Sequence, residues 1–361
     1  MAPINIPGLP VKPCILLSTQ SLIPGNGGIC TVARLTGSAL ARHYQVEALA
    51  CQDTLDYWIG RIPVQTFSDR RLAFVLANLA VMQRATHVIY DFAGTARAHF
   101  NAPFRRRPYA VWVHGLEVWK GAPLKYMRAI YGADLIIANS AYTVARANGL
   151  LPNGVEIIAC PLSTPEDHSP AKIGPSEGPP TVMLLGRADE LFAKGHDLLI
   201  EVWPDVVSAV PNAKLLLVGG GSSLGRVRDL SMASAVRSSI EITGFIPEDA
   251  IDAYWQRATV FAMPGYTEGF GVVYIEAMRR GLPVIASTED AGQEINADGI
   301  TGFNVPCKDK RRLTEVLVTL LRDRDLARSL GYAGHLRWKE QYTFSAFESR
   351  LGDAVKRFLT T

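Results

Sequence analysis

At 361 residues the chain is long enough for about two domains of roughly 100–200 residues each. Hydrophobic residues make up 48% and charged residues 20%, which excludes disordered and fibrous classes and leaves apolar material for two cores without disulfides or structural metals. No uncharged apolar run reaches the roughly 18 residues of a transmembrane helix, and the net charge of +3 hides an uneven split: residues 1–165 hold 15 Lys and Arg against 8 Asp and Glu, residues 166–361 hold 22 against 26.

The opening "MAPINIPGLPVKP" lacks a charged start followed by an apolar core, so no secretory signal is expected. Strands are expected at 14–19, 45–51, 87–92, 109–114, 134–139 and 156–160, each a short and nearly continuous apolar run. Helices lie between them, among others at 28–43, 122–131 and 140–148. The stretch 166–180, rich in Pro, Gly and Ser, reads as a linker. The plan then repeats, with strands at 181–186, 214–219, 240–245, 259–264 and 283–288. Helices are expected at about 195–209, 248–257, 271–280 and 309–322. Two more, at 325–341 and 344–359, follow a five-stranded second sheet, and the last can pack back across the first domain.

Alternation of this kind gives an α/β fold of two doubly wound, Rossmann-like domains facing a cleft. The expected boundaries are 1–165, a linker at 166–180, 181–342, and a C-terminal helix at 343–361. Cys14, Cys30, Cys51, Cys160 and Cys307 are odd in number, scattered and without a C-x-x-C pair. They read as reduced thiols of a cytoplasmic protein, with no metal site.

The stretch "MPGYTEGFGVVYIEAM" carries the most chemistry. Glu268 ends a loop after an apolar strand, and "GFG" then opens a helix. The amides of residues 269–273 are unpaired at such a start, so they can receive a phosphate, with Glu268 and Glu276 free to accept bonds from hydroxyls on either side. The bland reading is a loop–helix junction with two solvated glutamates. In "LLGRADELFAKG", Arg187 follows the first strand of the second domain and Lys194 starts the next helix. Two cations at this edge can neutralise a diphosphate without a metal, or be plain surface charges. Gly27 and Gly28 open the first helix, either to admit a phosphate or only to make a tight turn. His114 ends the strand "YAVWVH". A lone histidine is often structural, but this one faces the expected cleft. Asn139, Ser140 and Thr143 read more simply as helix caps. "GGGSSLG", with Glu241 about 20 residues on, comes near a dinucleotide fingerprint but has the spacing G-x-G-x-x-x-G.

Arg187 before "KG" and two glutamates seven residues of spacing apart resemble the retaining glycosyltransferases of family 4, which have the GT-B fold. "LLLVGGG", "ITGFIPEDAIDAYWQRA" and "DGITGFNV" extend the resemblance across about 181–305; "VHGLE" and "ANSAYT" carry a weaker one in the first half. "STEDAGQEI" departs from it, because paired glycines more often precede that glutamate.

The resemblance implies a retaining, metal-independent hexosyltransferase that uses a nucleotide diphosphate sugar as co-substrate and no cofactor. Arg187 and Lys194 would hold the diphosphate, and Glu276 the ribose. Glu268 would meet the transferred sugar, and His114 that sugar or the acceptor. The amides of Gly269, Phe270, Gly271 and Val272 would orient the donor. Phe245 and Ile246 would lie by the base, although Phe245 is equally a core candidate. The acceptor would be a hydroxyl of a polysaccharide, a lipid-linked glycan or a small molecule, not nucleic acid. A nucleotide-sugar epimerase or a non-catalytic binding protein of the same fold is the alternative. The basic first half, with Arg105, Arg106 and Arg107 among aromatics, implies peripheral contact with the anionic inner face of a membrane; the plainer reading is an exposed basic loop.

Overall fold

The computed structural model describes residues 13–25, 27–100, 106–115, 117–119, 123–148, 151, 156–189 and 194–360. The first sheet contains β1 (Cys14–Thr19), β2 (Gln45–Ala50), β3 (Tyr57–Ile59), β4 (Ile62–Thr66), β5 (His87–Tyr90), β6 (Tyr109–Val113), β7 (Leu135–Ala138) and β8 (Ile157–Ala159). Their spatial order is β3-β4-β2-β1-β5-β6-β7-β8. The β3–β4 pair is antiparallel, and the other neighbours are parallel. All five residues of β6 are buried, which explains its unbroken apolar run: helices cover both faces of a parallel sheet.

The β3–β4 hairpin is absent from the expected strands. β3 has only three residues and exposes Trp58, and β4 contains Pro63, a residue that normally demotes a strand.

The second sheet contains β9 (Thr181–Leu185), β10 (Lys214–Val218), β11 (Ile240–Gly244), β12 (Val260–Ala262), β13 (Val284–Ser287) and β14 (Gly302–Val305), in the order β11-β10-β9-β12-β13-β14. It therefore has six strands, not five. The extra edge strand β14 is short and only half apolar, and its Asn304 side chain bonds Asn296 rather than packing in a core.

In both sheets the order reverses next to the first strand, between β1 and β5 and between β9 and β12. Such switch points leave a crevice beyond the carboxyl ends of the strands, where doubly wound sheets bind ligands.

Residues 160–180 form neither strand nor helix, yet they are anchored: the amides of Thr164, Gly174 and Ser176 donate to the carbonyls of Tyr342, Arg280 and Ala258 at 3.0, 2.8 and 2.9 Å. The C-terminal helix Phe344–Lys356 returns to the first domain and packs on helix Gly28–Ala41. Its Glu348 carboxylate meets Arg42 at 2.6 Å and His43 at 2.9 Å. Phe347 is fully buried, with its ring 6.4 Å from that of Trp112 in β6. Truncating a phenylalanine so placed typically costs about 3–5 kcal/mol, so this helix fastens the two domains firmly. All five cysteines are free. Among the described residues, no helix is long and apolar enough to cross a membrane.

Candidate active site

β9 and β12 are neighbours at the switch point, so the loops that follow them open side by side. The first carries Arg187 and Lys194 into helix His196–Ala209; the second carries Glu268 into helix Val272–Arg279. The Lys194 ammonium pairs with the Glu268 carboxylate, and their side chains are only 17% and 18% exposed. Arg187 points elsewhere: its Nε donates to Asp189 Oδ2 at 2.7 Å, and its side chain is 66% exposed. Asp189 is held in turn by the amide and hydroxyl of Ser222. An exposed pair of this kind is worth about 1 kcal/mol or less, so a diphosphate can take Arg187 from it.

The Glu268 main chain is fixed on both sides. Its amide donates to Asp290 Oδ2 at 3.2 Å, and its carbonyl accepts from the Ala291 amide at 3.0 Å. The next five amides, Gly269 to Val273, meet no acceptor among the described residues. They open helix Val272–Arg279, whose dipole favours an anion at this end. The Phe270 side chain is buried, with its ring 6.1 Å from Tyr342, and Val272 packs half-buried on the core. Both can therefore offer a donor only their main chain. Glu276, further along the helix, is half-buried, and its carboxylate has no hydrogen bond or ion pair among the described residues. Burial pushes it up to about 7, against the pull of Arg280 and Arg279. Such a group is suited to accept hydrogen bonds from hydroxyls.

Phe245, just past β11, is 68% exposed beside Gly220 and is not core; Ile246 is half-buried against the core. Gly219 and Gly221 have a packing role that accounts for the near-fingerprint. A Cβ on either would overlap the main chain of Gly186 or Ala188.

In the first domain Gly27 (φ 92°) caps helix Gly28–Ala41 at the carboxyl end of β1, with no protein atom within 4 Å of a Cβ built on Gly27 or Gly28. His114 follows β6. Its Nε2 lies 2.6 Å from the main-chain oxygen of Asp91. A carbonyl only accepts, so Nε2 is assigned the proton and Nδ1 remains an acceptor. Asp91 is itself locked by Thr19, Gln20 and Thr95, and burial pushes its carboxyl up.

The two carboxyl edges meet at a seam. Ser140 Oγ donates to the Gly269 carbonyl at 2.7 Å and also caps its own helix, Ala141–Ala147, through the Thr143 amide at 3.0 Å. From the opposite domain, the Glu294 carboxylate accepts from the amides of Ala141 and Tyr142 at 3.2 and 2.9 Å. Asn139 Oδ1 and Thr267 Oγ1 are buried without a partner among the described residues. The structure thus joins Lys194 to Glu268 and sets Gly269 against His114. Arg187 has Asp189 as partner instead. Asp290, Glu294 and Asp189 were not among the expected residues; their partners lie 22, 153 and 33 residues away. A groove of about 430 Å³ beside Trp58, Arg61 and Arg42 lies at the amino end of β2, away from this edge.

The family model described as glycosyl transferases group 1 matches residues 165–337. A GDP-mannose-dependent alpha-(1-6)-phosphatidylinositol monomannoside mannosyltransferase of Mycobacterium tuberculosis is 31% identical across 95% of this chain and 98% of its own. The chain belongs to the group 1 glycosyltransferases. A monoacylated-substrate counterpart from Corynebacterium glutamicum is 32% identical over 67% of this chain and 68% of its own. Among solved structures, sucrose-phosphate synthase from Thermosynechococcus elongatus superposes with a TM-score of 0.80 at 21% identity, covering 97% and 100% of the two chains. Anabaena HepE in complex with UDP and glucose gives 0.78 at 17% identity, covering 96% and 100%. These likenesses are to the GT-B fold, and the chain is a glycosyltransferase built on it.

Proposed function

We propose that the chain transfers mannose from GDP-mannose to a hydroxyl of a lipid-linked acceptor, with retention of anomeric configuration and without a metal. The observation that carries this reading is the row of unpaired amides at 269–273, set between the Lys194–Glu268 pair and the unpartnered Glu276. A diphosphate fits the amides and cations, and the ribose hydroxyls fit Glu276. The choice of mannose and lipid follows the relatives' names.

In the reaction the bond between the anomeric carbon and the leaving phosphate oxygen breaks while the acceptor oxygen bonds that carbon. The acceptor proton passes to the leaving phosphate. Lys194, Arg187 and the amides stabilise the growing negative charge, and the facing domains hold the acceptor hydroxyl beside the leaving phosphate, on one face of the sugar. His114 Nδ1 can accept from a sugar hydroxyl. Glu268 is tied to Lys194, so retention is assigned to displacement on one face of the sugar rather than to a carboxylate nucleophile.

The test is a donor panel of GDP-mannose, UDP-glucose and ADP-glucose with phosphatidylinositol mannoside as acceptor, with the product anomer read by NMR. Turnover is expected with GDP-mannose, an α product, and rates unchanged by EDTA. A preference for UDP-glucose overturns the donor assignment, and a β product overturns retention. Activity lost to EDTA and restored by magnesium or manganese overturns metal independence.

We also propose peripheral contact of the first domain with anionic lipid, though on different residues from the expected basic run. Arg107 donates to the carbonyls of Met82 and Gln83 at 2.9 Å, and Arg106 pairs with Asp134. Both are engaged within the fold, and Arg105 lies outside the described residues. Helix Arg71–Met82 exposes Leu72 and Leu76 beside Arg71, which is 82% exposed and only loosely paired with Asp69 at 3.5 Å, and helix Leu124–Tyr131 exposes Leu124 next to Lys125. Cations near an anionic surface contribute about 1 kcal/mol each. Flotation at low salt should carry the protein up with liposomes containing phosphatidylinositol and leave it down with phosphatidylcholine alone. Equal behaviour in both sinks the idea.

A further inference from the structure

Asp290 lies at the centre of the site and has no part in the reaction as written above. Its side chain is fully buried. Oδ2 accepts from the Glu268 amide at 3.2 Å and Oδ1 from the Gly292 amide at 2.8 Å. The Ala291 amide returns a bond to the Glu268 carbonyl. The turn after β13 and the loop after β12 are thus stitched together at the residue that holds Lys194.

The groups around Asp290 are known from each side. Glu268 and Lys194 face it from the two loops at the switch point, and Tyr274 from helix Val272–Arg279. Cys307 lies beyond β14, Tyr142 across the seam, and Glu289 in its own turn. Glu268 repels a charge on Asp290, Lys194 attracts it, and the other groups are neutral or further out. Burial dominates and pushes the Asp290 carboxyl up to about 7.

We infer that Asp290 is a positioning residue for transfer: it fixes the Glu268 main chain, and it takes up a proton when an anionic donor settles beside Lys194. The electrostatics give the sign. A donor diphosphate brings negative charge to Lys194, which then offsets less of the charge on Asp290. Ionised Asp290 is disfavoured, so binding draws a proton from solvent. By linkage, Asp290 favours donor binding in acid and withdraws that help as pH rises through the neutral range, whereas Glu276, raised to about 7 and accepting from the ribose as a carboxylate, acts in the opposite sense.

The inference rests on the donor site proposed above. It is tested by titration calorimetry with GDP-mannose at pH 7.5 in two buffers of different ionisation enthalpy. If the donor strengthens proton binding at Asp290 tenfold, the Asp290 share of uptake is about half a proton, and its contribution to affinity falls by up to about tenfold between pH 6 and pH 9. Asp290→Asn should move the proton count toward release by that share and remove the Asp290 part of the pH dependence of kcat/KM. Glu276→Gln, which removes the raised carboxyl at the ribose and its opposing proton release, should show the Asp290 uptake undiminished. No uptake by folded Glu276→Gln overturns the inference, even if Asp290→Asn does not fold. Wild-type uptake and an unchanged profile in folded Asp290→Asn overturn it as well. If GDP-mannose gives no binding heat, the donor assignment alone fails, and the proton count is read with UDP-glucose.

Discussion

Lys194→Ala is expected to lower turnover about 100- to 1,000-fold, the range typical for removing one oxyanion donor. Negative charge grows on the leaving phosphate as the sugar bond breaks, so a cation there gains more in the transition state than in the ground state. The structure adds a second loss. Lys194 also neutralises Glu268, whose side chain is only 18% exposed and lies near Asp290. Without Lys194 an incoming diphosphate meets two carboxyl groups, with only the exposed Arg187, shared with Asp189, to offset them. Arg187→Ala should have a smaller effect, because Arg187 is 66% exposed and already shared with Asp189. Glu276→Gln should act differently. A ribose hydroxyl sees little change of charge during transfer, so donor KM should rise while kcat stays close to normal. The measurement is steady-state kinetics and nucleotide affinity for the three variants, with folding checked by circular dichroism. Near-normal turnover by folded Lys194→Ala means the diphosphate lies elsewhere, and the mechanism above fails with it.

What the sequence reveals follows the range of the forces involved. The strands of both sheets are legible because a parallel strand covered on two faces must be apolar throughout, as Ala110, Val111, Trp112 and Val113 show in β6. The start of helix Ala141–Ala147 is legible through a local cap, Ser140 Oγ on the Thr143 amide. Lys194 and Glu268 sit 74 residues apart, yet both are readable, because each follows an apolar strand at the edge where ligands bind. Asp290 and Glu294 follow β13 in a polar turn and the short helix Gly292–Ile295, where the sequence shows a departure from the family pattern and no partner. Their meaning comes only from partners across the loops and across the seam. The hairpin β3–β4 and the edge strand β14 fail for a related reason. Edge strands are short and half exposed, so their pattern is weak. In the basic run the sequence shows charge but not its partners: Arg106 and Arg107 are engaged by an acid and two carbonyls of the same domain.

Gly269→Ala is expected to cost about 100-fold in kcat while leaving each domain folded. Gly269 is not in the left-handed region, so alanine brings no strain of its own. The obstacle is across the seam: a Cβ on Gly269 would overlap the carbonyl oxygen of His114. That atom belongs to the main chain at the end of β6, and the His114 ring is held by Asp91, so no flexible side chain can swing aside. The domains must separate there, straining the 2.7 Å bond from Ser140 Oγ to the Gly269 carbonyl. A displacement of about 1 Å at a reacting centre can cost about 100-fold, because donor and acceptor lose their line of attack. Overpacking should also lower stability, by about 1–3 kcal/mol. Gly225→Ala is the control: Gly225 lies in helix Leu224–Ala233, where a Cβ meets no protein atom within 4 Å, and the change should be neutral or mildly stabilising. Kinetics, thermal melts and small-angle scattering on both variants decide the matter. Gly269→Ala should be slower and scatter as a more open particle, with an intact circular dichroism spectrum. If it turns over like Gly225→Ala, the seam between His114 and Gly269 is open during transfer, and the sugar is held by one domain rather than between two.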